Sequence, residues 1–195
     1  NKLMKGFIGS GNIDTNSRLC MSSAVAAHKR AFGSDTVPGC YEDLEQADLI
    51  VLAGSNTAWA HPVVYQRIVA AKKSRPEMKV VVIDPRRTAT CDIADLHLAV
   101  VPGSDAWLFN GLLNHFKREG AIDWSYLEAH VEHFGSALNA VSGLSIPQIA
   151  QHCGIPETDL ATFYRWFTHT PKTVTVFSQG INQSSSGVDK GNAII

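Results

Sequence analysis

Three apolar runs in this sequence are each followed by small or polar residues of the kinds that bind phosphate. These residues are Gly54-Ser55-Asn56, Asp84-Pro85-Arg86-Arg87 and Gly103-Ser104-Asp105. Glycine lets a backbone approach a diphosphate closely, arginine pairs with its charge, and aspartate accepts hydrogen bonds from a ribose or a guanine edge. The same residues also suit ordinary turns, in which glycine and aspartate provide geometry and capping. Because no G-x-G-x-x-G follows either of the first two runs, a conventional NAD site is poorly supported.

A cysteine near the start of the sequence has the surroundings of a soft-metal ligand. Cys20 lies where a polar segment gives way to a stretch of helical character that runs to Phe32. A thiolate near a helix N-terminus and beside Arg18 is favoured by the helix dipole and by the cation. The thiolate is also the form of cysteine that binds soft metals. The alternative is an inert buried cysteine, which is common in proteins.

The segment that carries the three polar groups has the pattern of a parallel α/β sheet. Residues 41 to 105 alternate between short β-branched runs and amphipathic helical stretches. The predicted strands are Leu49–Ala53, Val80–Ile83, Leu96–Val101 and, later in the sequence, Thr173–Phe177. In an open parallel sheet the carboxyl ends of the strands gather at one edge, where helix N-termini favour phosphate. The fold prediction is therefore a Rossmann-like α/β sheet flanked by helices, with a small helical insertion.

Helices are predicted between the strands and in the insertion. One begins at His61-Pro62 and runs to about Lys73. The residues predicted for its inner face are Val63, Ile68 and Ala71. Another follows Ser104 or Asp105, either of which can cap it. Four segments result, namely a metal-ligand loop and helix (1–40), a Rossmann-like nucleotide-binding half (41–122), a helical segment (123–172), and a returning strand with a cofactor loop (173–195).

The composition excludes several classes of protein. The 195 residues, 45% of them hydrophobic, are enough for the core of one globular domain. With 17 Lys+Arg against 18 Asp+Glu and no long block of like charge, we expect no nucleic-acid partner. The apolar runs fall far short of the roughly 20 residues that span a bilayer, so we expect no membrane insertion. The four cysteines form no C-x-x-C and therefore no complete iron–sulfur motif.

Several of these segments together resemble a known family. They are Asn12 to Val25, Gly54-Ser55-Asn56, His61-Pro62, Ile83-Asp84-Pro85-Arg86-Arg87-Thr88, Ala94-Asp95-Leu96-His97-Leu98 and Ser178-Gln179-Gly180-Ile181-Asn182-Gln183. In this order they resemble the molybdopterin oxidoreductases (the dimethyl sulfoxide reductase family), and they look closest to the assimilatory nitrate reductases. The sequence has no initiator Met and ends in an apolar stretch, so we expect it to be a piece of a longer chain.

The resemblance implies a cofactor and roles for individual residues. Such enzymes bind molybdenum through two molybdopterin guanine dinucleotides and one protein side chain, and Cys20 matches that ligand, with Met21 and Arg18 beside it in the catalytic site. The residues implied along one dinucleotide are Gly54, Ser55, Asn56, Asp84, Arg86, Gly103, Ser104 and Asp105. Gly180 and Gln183 are implied near a pterin or the metal. A [4Fe–4S] cluster is expected in the longer protein but outside these residues.

The resemblance also implies an activity. We expect nitrate to be reduced to nitrite by oxygen-atom transfer, with electrons from a donor protein or domain, in the cytoplasm. One alternative is a molybdenum formate dehydrogenase, but such enzymes usually carry His where this sequence has Met21, which exchanges no proton. A second is a non-catalytic subunit that keeps the fold, for which loss of Cys20 would be expected. A third, a plain nucleotide-binding module, leaves Asn12 to Val25 without a role.

Overall fold

Four parallel strands form the centre of the structure, a computed structural model that describes residues 1–14 and 17–195, with the backbone alone for residues 17 and 18. The strands are β1 (Leu49–Ala53), β2 (Lys79–Ile83), β3 (Leu96–Leu98) and β4 (Thr173–Phe177). Their order in the sheet is β3-β2-β1-β4, and every neighbouring pair is parallel. The predicted α/β class and its parallel sheet are therefore confirmed.

Helices precede, connect and follow the strands. They are α1 (Ser17–Cys20), α2 (Ser22–Phe32), α3 (Tyr41–Gln46), α4 (Thr57–Ala60), α5 (Pro62–Ser74), α6 (Asp105–Arg118), α7 (Trp124–His130), α8 (Phe134–Ala140), α9 (Ile146–Cys153), α10 (Glu157–His169), α11 (Gln179–Asn182) and α12 (Gly187–Ile194). A π-helical segment spans Lys2–Phe7, and a 3₁₀ helix spans Ala89–Ile93. Along the described residues, none of these helices combines the length and the apolar character needed to span a membrane.

Both faces of the sheet are covered, because every residue of β1 is buried. On one face Leu49, Val51 and Ala53 belong to a cluster with apolar residues of α6, α9 and α10. On the other face Ile50 and Leu52 belong to a cluster with residues of α3 and α5. Alternate residues of a strand point to opposite faces, so a continuous apolar run is what a sheet with helices on both sides requires.

The structure differs from the sequence predictions at several points. β3 ends at Leu98 rather than at Val101, because the Val101 N–H donates to the carbonyl of Cys153 at 2.8 Å and the chain leaves the sheet. Val63 is 63% exposed, so its predicted place on the inner face of α5 is wrong, whereas Ile68 is fully buried. Two helices after β4, α11 and α12, had no counterpart among the predicted elements. The division into four segments stays a prediction.

Candidate metal and cofactor site

The carboxyl ends of the strands lie at one edge of the sheet, and the residues predicted to bind a cofactor follow them. Gly54-Ser55-Asn56 follows β1 directly, and Asp84 follows β2. The turn at Gly103 leads into α6 after the short β3, and Gly180 lies in α11, which follows β4. Because all four strands are parallel, they end at this same edge.

The segments after β1 and β4 meet at a pair of glycines. The N–H of Gly180 donates to the carbonyl oxygen of Gly54 at 2.9 Å, and the Ser178 hydroxyl donates to the same oxygen at 3.2 Å. A Cβ added to Gly54 would lie 2.9 Å from the Cα of Gly180, and Gly54 has a φ of +55°. Any larger residue at either position would force the two backbones apart. The contact between these segments therefore explains both glycines without a ligand.

Side-chain amides surround the sulfur of Cys20. The thiol lies at the end of α1, one turn residue before α2, and is partly exposed. Gln183 Nε2 lies 2.8 Å from Cys20 Sγ and 3.1 Å from its carbonyl oxygen, and Gln179 Nε2 lies 3.9 Å from the sulfur. Asn182 Nδ2 lies 3.4 Å from the same carbonyl and 3.9 Å from Met21 Sδ. These amide groups therefore fix the position of the Cys20 sulfur and of its carbonyl oxygen.

The donor set around Cys20 fits a soft metal ion. Cys20 and Met21 are consecutive in the sequence, and their sulfur groups are both of the soft type that binds such metals. The Oδ1 atom of Asn182 is buried and has no hydrogen-bond partner among the described residues, so it remains able to accept a further bond. The side chain of Arg18, predicted beside this cysteine, lies outside the described residues. The predicted roles of Cys20, Met21 and Gln183 are chemically possible in this geometry.

The hydroxyl of Ser55 points into the protein, whereas the side chain of Asn56 is hydrogen-bonded through its oxygen atom. Ser55 is 1% exposed and its hydroxyl lies 2.9 Å from that of Thr57. The Oδ1 atom of Asn56 accepts a 3.0 Å hydrogen bond from the hydroxyl of Thr90, which lies in the 3₁₀ helix. Ser55 therefore has its backbone, rather than its side chain, to offer a ligand at the sheet edge, whereas the N–H₂ group of Asn56 donates to none of the described residues.

Asp84 and Arg86 form a tight turn at the end of β2. One carboxylate oxygen of Asp84 accepts from the N–H of Arg86 at 2.8 Å. The Nε2 atom of His97 lies 2.8 Å from the carbonyl oxygen of Asp84, and since a carbonyl can only accept, this nitrogen carries the proton. The Arg86 side chain is exposed. This turn leaves a cation at the edge of the sheet, together with one Asp84 carboxylate oxygen that has no hydrogen-bond partner in the part of the chain that the structure describes.

The turn before α6 is tied to the last helix of the chain by a buried ion pair. Lys190 Nζ lies 3.4 Å from Asp105 Oδ2, with the two side chains 6% and 12% exposed, and it donates to the Ser184 hydroxyl at 2.9 Å. Ser104 occupies the N-cap position of α6, but its hydroxyl donates to the carbonyl of Val101 at 2.7 Å. The prediction that a side chain caps this helix is therefore wrong for Ser104.

Cys153 lies beneath this turn and differs from Cys20 in its burial and its surroundings. It is fully buried, and its sulfur lies 3.8 Å from the carbonyl oxygen of Ser104. Burial raises the pKa of the Cys153 thiol, so this residue stays neutral. Its role is packing under the turn.

Sequence reasoning missed three polar residues that hold the site together. Thr90 and Asn182 were given no role from the sequence, because the partners that define their roles are distant along the chain. Lys190 does have one, since spacings of three, four and seven place Gly187, Lys190, Gly191 and Ile194 on one face of a helix. A lysine on such a face marks a buried charge that needs a partner.

Comparison with known proteins identifies the family. The family model for molybdopterin oxidoreductase matches residues 1–195. The chain belongs to this family. A nitrate reductase from Klebsiella oxytoca is 58% identical over 195 residues, which is 100% of this chain and 22% of the relative. A nitrate reductase from Shewanella frigidimarina (strain NCIMB 400) is 51% identical over 197 residues, covering 100% of this chain and 21% of the relative. The chain thus spans about a fifth of the length of these relatives.

A solved structure supports the fold. Acetylene hydratase from Pelobacter acetylenicus matches with a TM-score of 0.75 and 22% sequence identity, covering 96% of this chain and 25% of that chain. At this identity the similarity supports the fold alone.

Proposed function

We propose that this chain is part of the catalytic subunit of a molybdenum nitrate reductase, which reduces nitrate to nitrite. The observation that carries the proposal is the position of the Cys20 sulfur, partly exposed and within 2.8 Å of the Gln183 amide nitrogen. This chemistry fits a thiolate ligand to molybdenum, and the two relatives named nitrate reductase favour nitrate as the substrate.

The cofactor proposed is molybdenum with two molybdopterin guanine dinucleotides, one of which lies along the carboxyl edge of the sheet. When bound, it supplies the two-electron chemistry that takes one oxygen atom from nitrate. The residues proposed to hold this dinucleotide are Gly54, Ser55, Asn56, Asp84, Arg86, Gly103, Ser104 and Asp105. Since the hydroxyls of Ser55 and Ser104 are already engaged, we propose that these two residues act through their backbones.

Five residues of the chain have a role at the metal pocket in this proposal. Cys20 provides the ligand, and the amide of Gln183 donates to its sulfur and fixes its direction. Met21 presents a thioether that neither gives nor takes a proton, which suits transfer of an oxygen atom more than oxidation of formate. Arg18 is proposed to attract the nitrate anion, and Gly180 to keep the β4 segment close to the site.

The experiment is to purify the full-length protein and measure its molybdenum, its guanine nucleotide after acid release, and nitrate reduction with a reduced dye. We expect about one molybdenum per chain and two guanine nucleotides per molybdenum. Cys20→Ala is expected to abolish nitrate reduction, because the metal loses its protein ligand, while the circular dichroism spectrum stays unchanged. The matched control is Cys40→Ala, since Cys40 is an exposed thiol. Equal loss of activity in both variants would refute the ligand assignment.

The setting of the enzyme is also a proposal. We propose a cytoplasmic, assimilatory role, supported by the resemblance of the quoted motifs to the assimilatory enzymes. Electrons would arrive from a donor protein or domain through a [4Fe–4S] cluster outside these residues. Cell fractionation with an antibody to the chain tests the location, and recovery of the protein in the periplasmic fraction would reject it.

A further inference from the structure

Asn56 stands at the N-cap of α4 but does not cap the helix with its own side chain. An N-cap asparagine ordinarily accepts from a backbone N–H two or three residues later. Here the N–H of Ala58 donates instead to the hydroxyl of Thr90 at 3.0 Å, from 32 residues further along the chain. Thr90 therefore replaces the ordinary cap, and the side chain of Asn56 is released from that task.

The hydrogen bonds of Thr90 fix the orientation of the Asn56 amide. The Thr90 hydroxyl has one proton, and the Ala58 N–H already occupies one of its acceptor positions. The proton points to the side chain of Asn56, 3.0 Å away, which must present its oxygen. The Nδ2 group therefore points the other way, and it takes part in no hydrogen bond among the described residues. Asn56 presents two N–H donors and no side-chain acceptor on its free side.

Thr90 is held firmly enough to impose this orientation. It is fully buried in the 3₁₀ helix Ala89–Ile93. The hydroxyl of Tyr65, on α5, donates to the carbonyl oxygen of Ala89 at 3.2 Å and ties this helix to its neighbour. A rotation of Thr90 would leave a buried hydroxyl without a partner, which is unfavourable in a protein interior.

We propose that Thr90 is a positioning residue, which turns the Asn56 amide so that its N–H₂ group donates to an acceptor oxygen of the bound pterin dinucleotide. The inference rests on the proposed function. It names Thr90, a residue outside the set predicted from the sequence. It also specifies that Asn56 is the donor in its hydrogen bond to the cofactor, and that the acceptor is a phosphate or carbonyl oxygen. A ligand group that can only donate would be disfavoured at this position.

The test measures how fast the full-length protein loses molybdenum and guanine nucleotide during incubation in cofactor-free buffer. Thr90→Val removes the cap and the orienting bond while keeping the shape, and we expect roughly three- to tenfold faster loss, the range expected when one hydrogen bond is lost. Thr90→Ser keeps the hydroxyl and is expected to release at the wild-type rate. The matched control is Thr168→Val, which removes a buried hydroxyl on α10 that has no partner among the described residues.

Two further variants separate orientation from mere packing. Asn56→Asp still accepts from Thr90 but has an oxygen in place of the N–H₂ group, so loss is expected to be at least as fast as in Thr90→Val. In an Asn56→Ala background, Thr90→Val still removes the cap on the Ala58 N–H but is expected to have a clearly smaller effect than in the wild type, because no amide remains to be oriented. If Asn56→Asp released at the wild-type rate, or if Thr90→Val had the same effect in both backgrounds, the inference would be wrong.

Failure of this inference is distinguishable from failure of the proposed function. A wild-type protein that contains neither molybdenum nor guanine nucleotide would reject both. A loaded wild-type protein whose Thr90 and Asn56 variants all keep the cofactor equally well would reject the inference alone.

Discussion

Replacing Lys190 with methionine leaves the carboxylate of Asp105 buried without its counter-charge. The two charged groups lie 3.4 Å apart, and neither side chain is more than 12% exposed. Methionine keeps the length and apolar stem of lysine but removes the ammonium group. The substitution also removes the hydrogen bond from Lys190 Nζ to the Ser184 hydroxyl.

The expected loss of stability is about 3 kcal/mol. Removal of one partner from a buried ion pair destabilises by about 3–5 kcal/mol, because the remaining charge is uncompensated. Asp105 lies in the first turn of α6. There the favourable interaction of a carboxylate with the helix dipole, about 0.3–1 kcal/mol, offsets part of this loss of stability. The lower end of the range therefore applies. The lost bond to Ser184 keeps the estimate from falling further, since a hydrogen bond contributes about 1 kcal/mol.

A surface ion pair between α2 and α12, the helix that carries Lys190, provides the matched control. Arg30 Nη1 lies 2.9 Å from Asp189 Oδ1, but these side chains are 61% and 69% exposed. Exposed pairs contribute about 0.2–1 kcal/mol, so Arg30→Met is expected to lower stability by about 0.5 kcal/mol. Urea denaturation of the 195-residue chain, followed by circular dichroism, measures both variants, with an unchanged slope expected for each.

The reasoning is refuted if Lys190→Met and Arg30→Met shift the urea midpoint equally. A second variant tests the cause. In Lys190→Met, an additional Asp105→Asn substitution removes the stranded charge and is expected to recover about 1 kcal/mol or more. If the double variant is no more stable than Lys190→Met, an uncompensated carboxylate is not the source of the loss.

Two further predictions concern the glycine contact and the choice of substrate. Gly54→Ala is expected to lower the free energy of unfolding by about 3 kcal/mol, through left-handed strain of about 1–2 kcal/mol and a contact at 2.9 Å with the backbone of Gly180. Gly33→Ala, with a φ of +76° and nothing within 4 Å of the added Cβ, is expected to show the strain alone, and equal urea midpoints for the two would contradict this account. Met21→His in the full-length protein is expected to slow nitrate reduction without creating efficient formate oxidation, in dye assays at matched molybdenum content. Wild-type formate oxidation faster than nitrate reduction would overturn the nitrate proposal.

The elements predicted well are those whose signal is local. The runs that form β1 and β2 are apolar at nearly every position, because helices cover both faces of the sheet, and their short length and β-branched residues favour a strand over a buried helix. The end of β3 was predicted three residues too late, since Val100 and Val101 have the composition of a strand. What ends the strand is a hydrogen bond from Val101 to Cys153, which a local pattern does not contain.

The helix α12 was missed because its glycines suggest a turn. Gly187 and Gly191 are ordinarily unfavourable inside a helix. In the fold, a Cβ at Gly191 would lie 2.8 Å from the Cβ of Ala27 on α2, and a Cβ at Gly187 would lie 2.6 Å from the carbonyl oxygen of Asn182. The glycines are therefore required by close packing, which overrides helix propensity. For the same reason the partners of Thr90 and Lys190 appear only once the chain is folded.

These contacts place α12 between two parts of the candidate site, the Cys20 segment and the turn before α6. Its Asn192 donates to the carbonyl oxygen of Ala27 at 2.9 Å, which fixes α12 against α2, the helix that begins directly after Cys20 and Met21. On the same helix, Lys190 pairs with Asp105 at the start of α6. The Cys20 segment and the turn at Asp105 are thus held by one short helix. The buried ion pair holds α12 in a fixed position against α6. Because Asn192 ties α12 to α2, a shift of α12 against α6 would move α2 with it. We therefore expect Lys190→Met to loosen the Cys20 segment as well as the turn at Asp105.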